Sequence, residues 1–280
     1  MFYDIPENLL LLQNELEEAL ISNSKTKWDK MLIELFSENE SRLPYFEHGF
    51  WLTRARKMKD NATIPYCGSD IGMNKVKNDG EACKKNRWGN MFYLSTDMMY
   101  RSSFKEVKIP VSSKGTLGYF FITEPLKLFN ATKPFVVGTS EKYGGIDENT
   151  ALFLLLFLID KWFNKSADKE DDRQNVYQIT NKIAKLIREN TNLDGIVYQG
   201  TMSNNYSWNI ALVDDKKTAW GYSALYVPDK LGRYRITSKA YSEKYGEMIS
   251  FTEKKLKFYR ASSMPKQLRS VFSHRFPQCI

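Results

Sequence analysis

The chain has 280 residues and carries 41 Lys/Arg against 33 Asp/Glu, a net charge of +8, so it can bury a substantial core in one large domain or two small ones. Its three cysteines, Cys67, Cys83 and Cys279, include no close pair, which argues against a disulfide framework and against a zinc site, and favours a reducing compartment. Only His48 and His274 are available to histidine-dependent chemistry, so zinc hydrolases and Ser-His-Asp hydrolases lose weight.

Residues 1–45 read as a helical N-terminal layer. Asp4 and Glu7 have the spacing of an acidic capping box, and Leu9, Leu12, Leu16 and Leu20 form one stripe. Trp28, Met31, Leu32, Leu35 and Phe36 mark a second amphipathic helix that ends before Pro44. Residues 49–56 predict a strand carrying Arg54 and Arg56, followed by a long irregular stretch over 57–90 with the length of a lid or binding segment. Residues 88–95 predict a turn and a strand. Thr96 or Asp97 then caps a predicted helix through residue 107, with Glu106 near its last turn.

Two further strands are expected over 117–123 and 126–130, and Asp147 caps an apolar helix reaching about Phe163. The charged run at 167–173 reads as a solvated loop. Val176, Ile179, Ile183 and Ile187 then recur on one helical face. Asn192, Asp194 and Gly195 supply a turn, Ile196, Val197 and Tyr198 a buried strand, and residues 199–207 a small, polar loop before a second strand ending at Leu212. Strands are also expected over 220–226 and 234–238. Residues 229–280 hold 12 Lys/Arg against 4 Asp/Glu, which is the whole of the net charge, and suit nucleic acid, an acidic partner or a solvated face. The absence of an internal repeat or clear linker favours one α+β domain. The acidic Asp4, Glu7 and Glu15 replace the basic start of a secretory leader, and the most apolar run, 151–158, is far short of the roughly 20 residues of a spanning helix. A soluble, cytoplasmic protein without membrane contact is expected.

From about residue 50 to about residue 213 the chain resembles the RES-domain family, named for an arginine, a glutamate and a serine. Four pieces carry the resemblance, in order: Arg54-Ala-Arg56; Arg87-Trp-Gly-Asn90 leading into Tyr93-Leu-Ser95; Glu106-Val107; and Tyr177-Gln-Ile-Thr180 through Asp194-Gly-Ile-Val-Tyr198 to Asn209-Ile-Ala-Leu212. The resemblance implies an ADP-ribosyltransferase-like mixed sheet with flanking helices, and an activity that consumes NAD. Many members are toxins of bacterial toxin–antitoxin pairs, some of them acting by phosphorolysis. It divides the chain into the N-terminal layer (1–45), an NAD-binding core (46–215) and a basic C-terminal extension packed on the same domain (216–280). The family arginine falls on Arg54, the glutamate on Glu106 and a tyrosine on Tyr93. Gly200 stands where the family has its serine, and Thr201 is the nearest hydroxyl.

These residue types suit the chemistry. Nicotinamide leaves NAD neutral and needs no general acid, and the transition state is oxocarbenium-like, so a carboxylate such as Glu106 stabilises the developing charge. Phosphate oxygens call for forked cations, with Arg54 first and Arg56 and Arg87 behind it. Arg54 and Arg56, two apart on a strand, share one face. Tyr93 or Trp88 suits stacking on a ring, the Thr201 hydroxyl fixes the substrate's orientation, and Asn209 completes the substrate-binding set. No glycine-rich dinucleotide fingerprint is present, so NAD is expected as a substrate rather than a cofactor, with inorganic phosphate a possible co-substrate and no metal. The other readings are an ADP-ribosyltransferase acting on a macromolecule, and a non-catalytic protein binding nucleic acid or a partner, such as an antitoxin, through 229–280.

Overall fold

The computed structural model describes residues 6–22, 26–41, 51–57, 91–96, 103, 107, 115–122, 124–132, 143–163, 170–199, 208–228, 234–241 and 258–260. They form an α+β arrangement. Four helices are described: α1 (Glu7–Ile21), α2 (Lys27–Glu38), α3 (Glu148–Leu158), which continues through a π-helical turn over Ile159–Phe163, and α4 (Glu170–Asn190). Ten strands are described: β1 (Glu40–Ser41), β2 (Trp51–Lys57), β3 (Phe92–Ser95), β4 (Gly115–Ile122), β5 (Leu128–Asn130), β6 (Gly195–Gln199), β7 (Trp208–Leu212), β8 (Thr218–Pro228), β9 (Tyr234–Tyr241) and β10 (Phe258–Arg260). They line up in one sheet in the order β1-β5-β6-β7-β3-β2-β4-β8-β9-β10. The sheet is mixed, because β5 and β6 run parallel while the other recorded pairs are antiparallel. The described strands after residue 215, β8, β9 and β10, thus belong to the same sheet.

The helices pack on one sheet face. Leu16, Leu20, Leu32, Phe36, Leu154, Val176, Ile179, Ile183 and Ile187 close over Phe129, Ile196, Tyr198 and Ala211, which the strand register places side by side. The Phe129 ring lies against Phe36 and Phe163 at centroid distances of 4.7 and 6.5 Å. A buried ion pair joins α2 to α4, Lys182 Nζ to Asp29 Oδ2 at 2.9 Å. Glu17 of α1 holds the π-helical turn by accepting from Trp162 Nε1 at 2.8 Å and pairing with Lys161 at 2.7 Å. Tyr143 donates to Glu38 at the end of α2.

Several local expectations are corrected. Pro6, not Asp4, occupies the N-cap position of α1, and no side chain caps that end. The run at 167–173 is not wholly a loop, because α4 already includes Glu170, Asp171, Asp172 and Arg173. Asp97 and most of the helix expected to follow Thr96 lie outside the described residues, and the Thr96 hydroxyl has partners on another strand. It is engaged by β7, donating to the Trp208 carbonyl at 3.2 Å and accepting from the Trp208 N–H at 3.0 Å. Gly195 belongs to β6 rather than to a turn, and its role is close approach: a Cβ there would sit 2.2 Å from the Ala211 carbonyl oxygen. The Asp147 cap forms as expected, its carboxylate accepting from the Thr150 N–H at 3.0 Å. Asp194 ties three elements together. Its carboxylate accepts from the Lys127 N–H at 2.7 Å and from Lys217 Nζ at 2.8 Å, while its own N–H reaches Lys127 O and its carbonyl accepts from Val213. No described helix is long and apolar enough to cross a membrane.

Candidate functional site

The strand β2 lies in the middle of the sheet, yet its two sides are held differently. Against β4 it pairs at seven positions, from Trp51↔Phe121 to Lys57↔Gly115. Against β3 the one pair among the described residues is Thr53↔Ser95. That junction is reinforced by the Thr53 hydroxyl, which lies 3.3 Å from the Ser95 carbonyl and 2.7 Å from Ser103 Oγ. Beyond it the ladder stops, and a side chain takes over: Arg54 Nη1 donates to the Tyr93 carbonyl at 3.2 Å. The guanidinium carbon also sits 5.0 Å from the centroid of the Phe92 ring, within cation–π range.

Register sets the faces. Arg54 is opposite Gly118 and Arg56 opposite Thr116, so both arginines stand on one face with Thr116 beside them. Phe92 and Phe120 pack edge-to-face on that side at 5.1 Å. Among the described residues no carboxylate pairs with Arg54. Burial, and after it the charge of Arg56, push the Arg54 guanidinium well below its ordinary range, with Tyr93 opposing the shift. A guanidinium does not release its proton near neutral pH, so Arg54 stays cationic on this face.

The remaining described candidates lie on the other face. Tyr93 packs against the helix-covered core and meets Arg54 through its carbonyl rather than its ring. Asn209, opposite both Ser95 and Tyr198, is buried on that same helix-covered face. The structure therefore brings Arg54 and Arg56 together and sets them apart from the side chains of Tyr93 and Asn209 by the thickness of the sheet. Glu106, Arg87, Trp88 and Thr201 lie outside the described residues, as does most of the expected helix that includes Glu106. Its neighbour Val107 donates to the Ser103 carbonyl at 3.3 Å, and Ser103 is anchored on Thr53. Sequence reasoning overlooked Thr116, Gly118 and Phe92. Nothing in the sequence singled them out, because what makes them neighbours of Arg54 is the register of β2 on β4 and the contact of Arg54 with the Phe92 ring.

No group of cysteine, histidine and carboxylate side chains among the described residues is placed to hold a metal ion. No model of a known protein family matches the chain, and neither a characterised protein nor a solved structure matches it.

Proposed function

We propose that the protein cleaves the nicotinamide–ribose bond of NAD, on an ADP-ribosyltransferase-like sheet, and acts as an intracellular toxin or defence effector held in check by an antitoxin protein. The observation that carries this reading is Arg54: a half-buried guanidinium with one carbonyl partner, a second arginine two residues away and no carboxylate paired to it among the described residues. Such a pair suits the pyrophosphate of a dinucleotide, whose oxygens accept forked N–H bonds. The family resemblance supplies the rest. In the reaction the C–N bond to nicotinamide breaks, its electron pair stays with the departing neutral base, and an oxygen of water or inorganic phosphate forms the new bond to the ribose carbon. The proton carried by water passes to solvent.

Glu106 has the role of stabilising the oxocarbenium charge, and Thr201 that of orienting the ribose. Arg87 and Trp88 are further candidates for holding phosphate and ring. Tyr93 and Asn209 sit across the sheet from Arg54, so a dinucleotide held by Arg54 and Arg56 is bound without their side chains. The transferase alternative shares the bond cleavage and differs in the attacking group.

The test is NAD turnover by the purified chain, with and without phosphate, beside Arg54→Ala and Glu106→Ala. Loss of NAD that both substitutions suppress is expected, with a phosphorylated ADP-ribose product if phosphate is the acceptor. Label from NAD appearing covalently on protein or nucleic acid would favour the transferase. Folded protein that leaves NAD intact under every condition would refute the proposal.

A further inference from the structure

The face that carries Arg54 and Arg56 contains a polar group that folding alone does not explain. Thr116 sits in the interior of β4, is 1% exposed, and its hydroxyl has no hydrogen-bond partner among the described residues. Its register partner is Arg56, and Arg54 is the diagonal neighbour, so the hydroxyl stands within a side chain's reach of two guanidinium groups. A strand threonine can usually be exchanged for valine at no loss of packing shape, and leaving a buried hydroxyl unsatisfied is costly. Gly118, the next residue of β4 on the same face, stands opposite Arg54 and contributes no side chain of its own there.

We propose that Thr116 is a further ligand-binding residue: its hydroxyl donates to a phosphoryl oxygen that Arg54 and Arg56 hold from the neighbouring strand. This inference rests on the anion-binding half of the function proposed above and not on bond cleavage. The three groups are complementary in kind. The guanidinium groups supply charge and paired N–H donors, and the hydroxyl supplies a neutral donor whose hydrogen rotates to the oxygen they leave open. The ligand class is a phosphate ester or pyrophosphate rather than a carboxylate, since three separate donor groups from two strands match an anion with several oxygens around one centre. The Tyr93 carbonyl, which takes one Arg54 donor, leaves the other guanidinium N–H groups for this ligand.

The experiment is calorimetric titration of the full chain with inorganic pyrophosphate at fixed ionic strength. The variants are Thr116→Val, Thr116→Ala and Thr116→Ser, with thermal unfolding and NAD turnover measured on the same samples. The serine variant should bind like the wild type, and both variants without a hydroxyl about tenfold or more weakly. Without ligand, Thr116→Val should unfold no lower than the wild type, because it removes a buried hydroxyl that folding leaves unpaired. A stable valine variant that binds pyrophosphate as tightly as the wild type would overturn the proposal, as would a wild-type chain that does not bind pyrophosphate. Thr116-dependent pyrophosphate binding without NAD turnover would leave this inference standing and remove the NAD reading. NAD turnover with Thr116-independent binding would do the reverse.

Discussion

Replacing Gly195 by alanine tests the architecture around which the second half of the chain is built. An alanine Cβ would lie 2.2 Å from the Ala211 carbonyl oxygen and 2.9 Å from Leu212 Cα, both backbone atoms of β7. Ordinary contacts begin near 3.5 Å, so the strands would have to separate by about 1 Å at this point. They have little freedom to do so. β6 is paired on both edges, to β5 and β7, and Ile196 and Val197 are fully buried. Overpacking of this kind costs about 1–3 kcal/mol, and the rigid backbone on the far side places this site near the top of that range. The lost freedom of the unfolded chain returns about 0.4–1 kcal/mol, because the Gly195 backbone is not in the left-handed region. A net loss of about 2 kcal/mol is therefore expected. Urea unfolding should show a lower midpoint with an unchanged slope, and the melting temperature should fall by several degrees. A midpoint at or above that of the wild type would refute the close approach of β6 and β7 as the reason for glycine here.

Lys182→Met leaves the Asp29 carboxylate buried without its cation, and is expected to cost about 3–5 kcal/mol in denaturant unfolding, most of it restored in the double variant with Asp29→Leu; equal stability of single and double variants would show that the pair is not the cause. Asp147→Ala should lower the melting temperature at neutral pH. The Asp147 carboxyl is held below its usual range by its bonds to Thr150, so its contribution is present above the unfolded value of about 4 and is lost as pH falls through the lower folded value. Wild type and variant should therefore converge in acid, and a constant gap across that window would contradict the cap. Arg54→Met removes a half-buried charge that has no carboxylate partner among the described residues; unfolding should change little, whereas NAD turnover should disappear. A large stability loss with activity retained would make Arg54 a structural latch on the Tyr93 carbonyl and nothing more.

Much of the local structure was legible from periodicity and capping. The three-and-four spacing of Val176, Ile179, Ile183 and Ile187 marks one helical face, and all four are fully buried. Asp147 announced the start of α3 because a cap is a contact between residues three apart. Alternation along β2 was enough to place Arg54 and Arg56 on a common face. These features depend on neighbours in sequence, so composition and spacing determine them.

What only the tertiary structure decided is which strand lies beside which, and which face the helices cover. Period-two alternation gives each strand two sides but does not say how those sides match across a sheet. Arg54, Tyr93 and Asn209 therefore read as one site in sequence, while pairing sets the arginines on one face and the side chains of Tyr93 and Asn209 on the other. The same dependence on register hid Thr116, an unremarkable strand residue until β4 is laid against β2. Gly195 carried a turn signal because glycine serves both turns and close approaches, and only the distance to β7 separates the two. The chemistry of the arginines was written in their type and spacing; their company was chosen by the packing of strands remote in sequence.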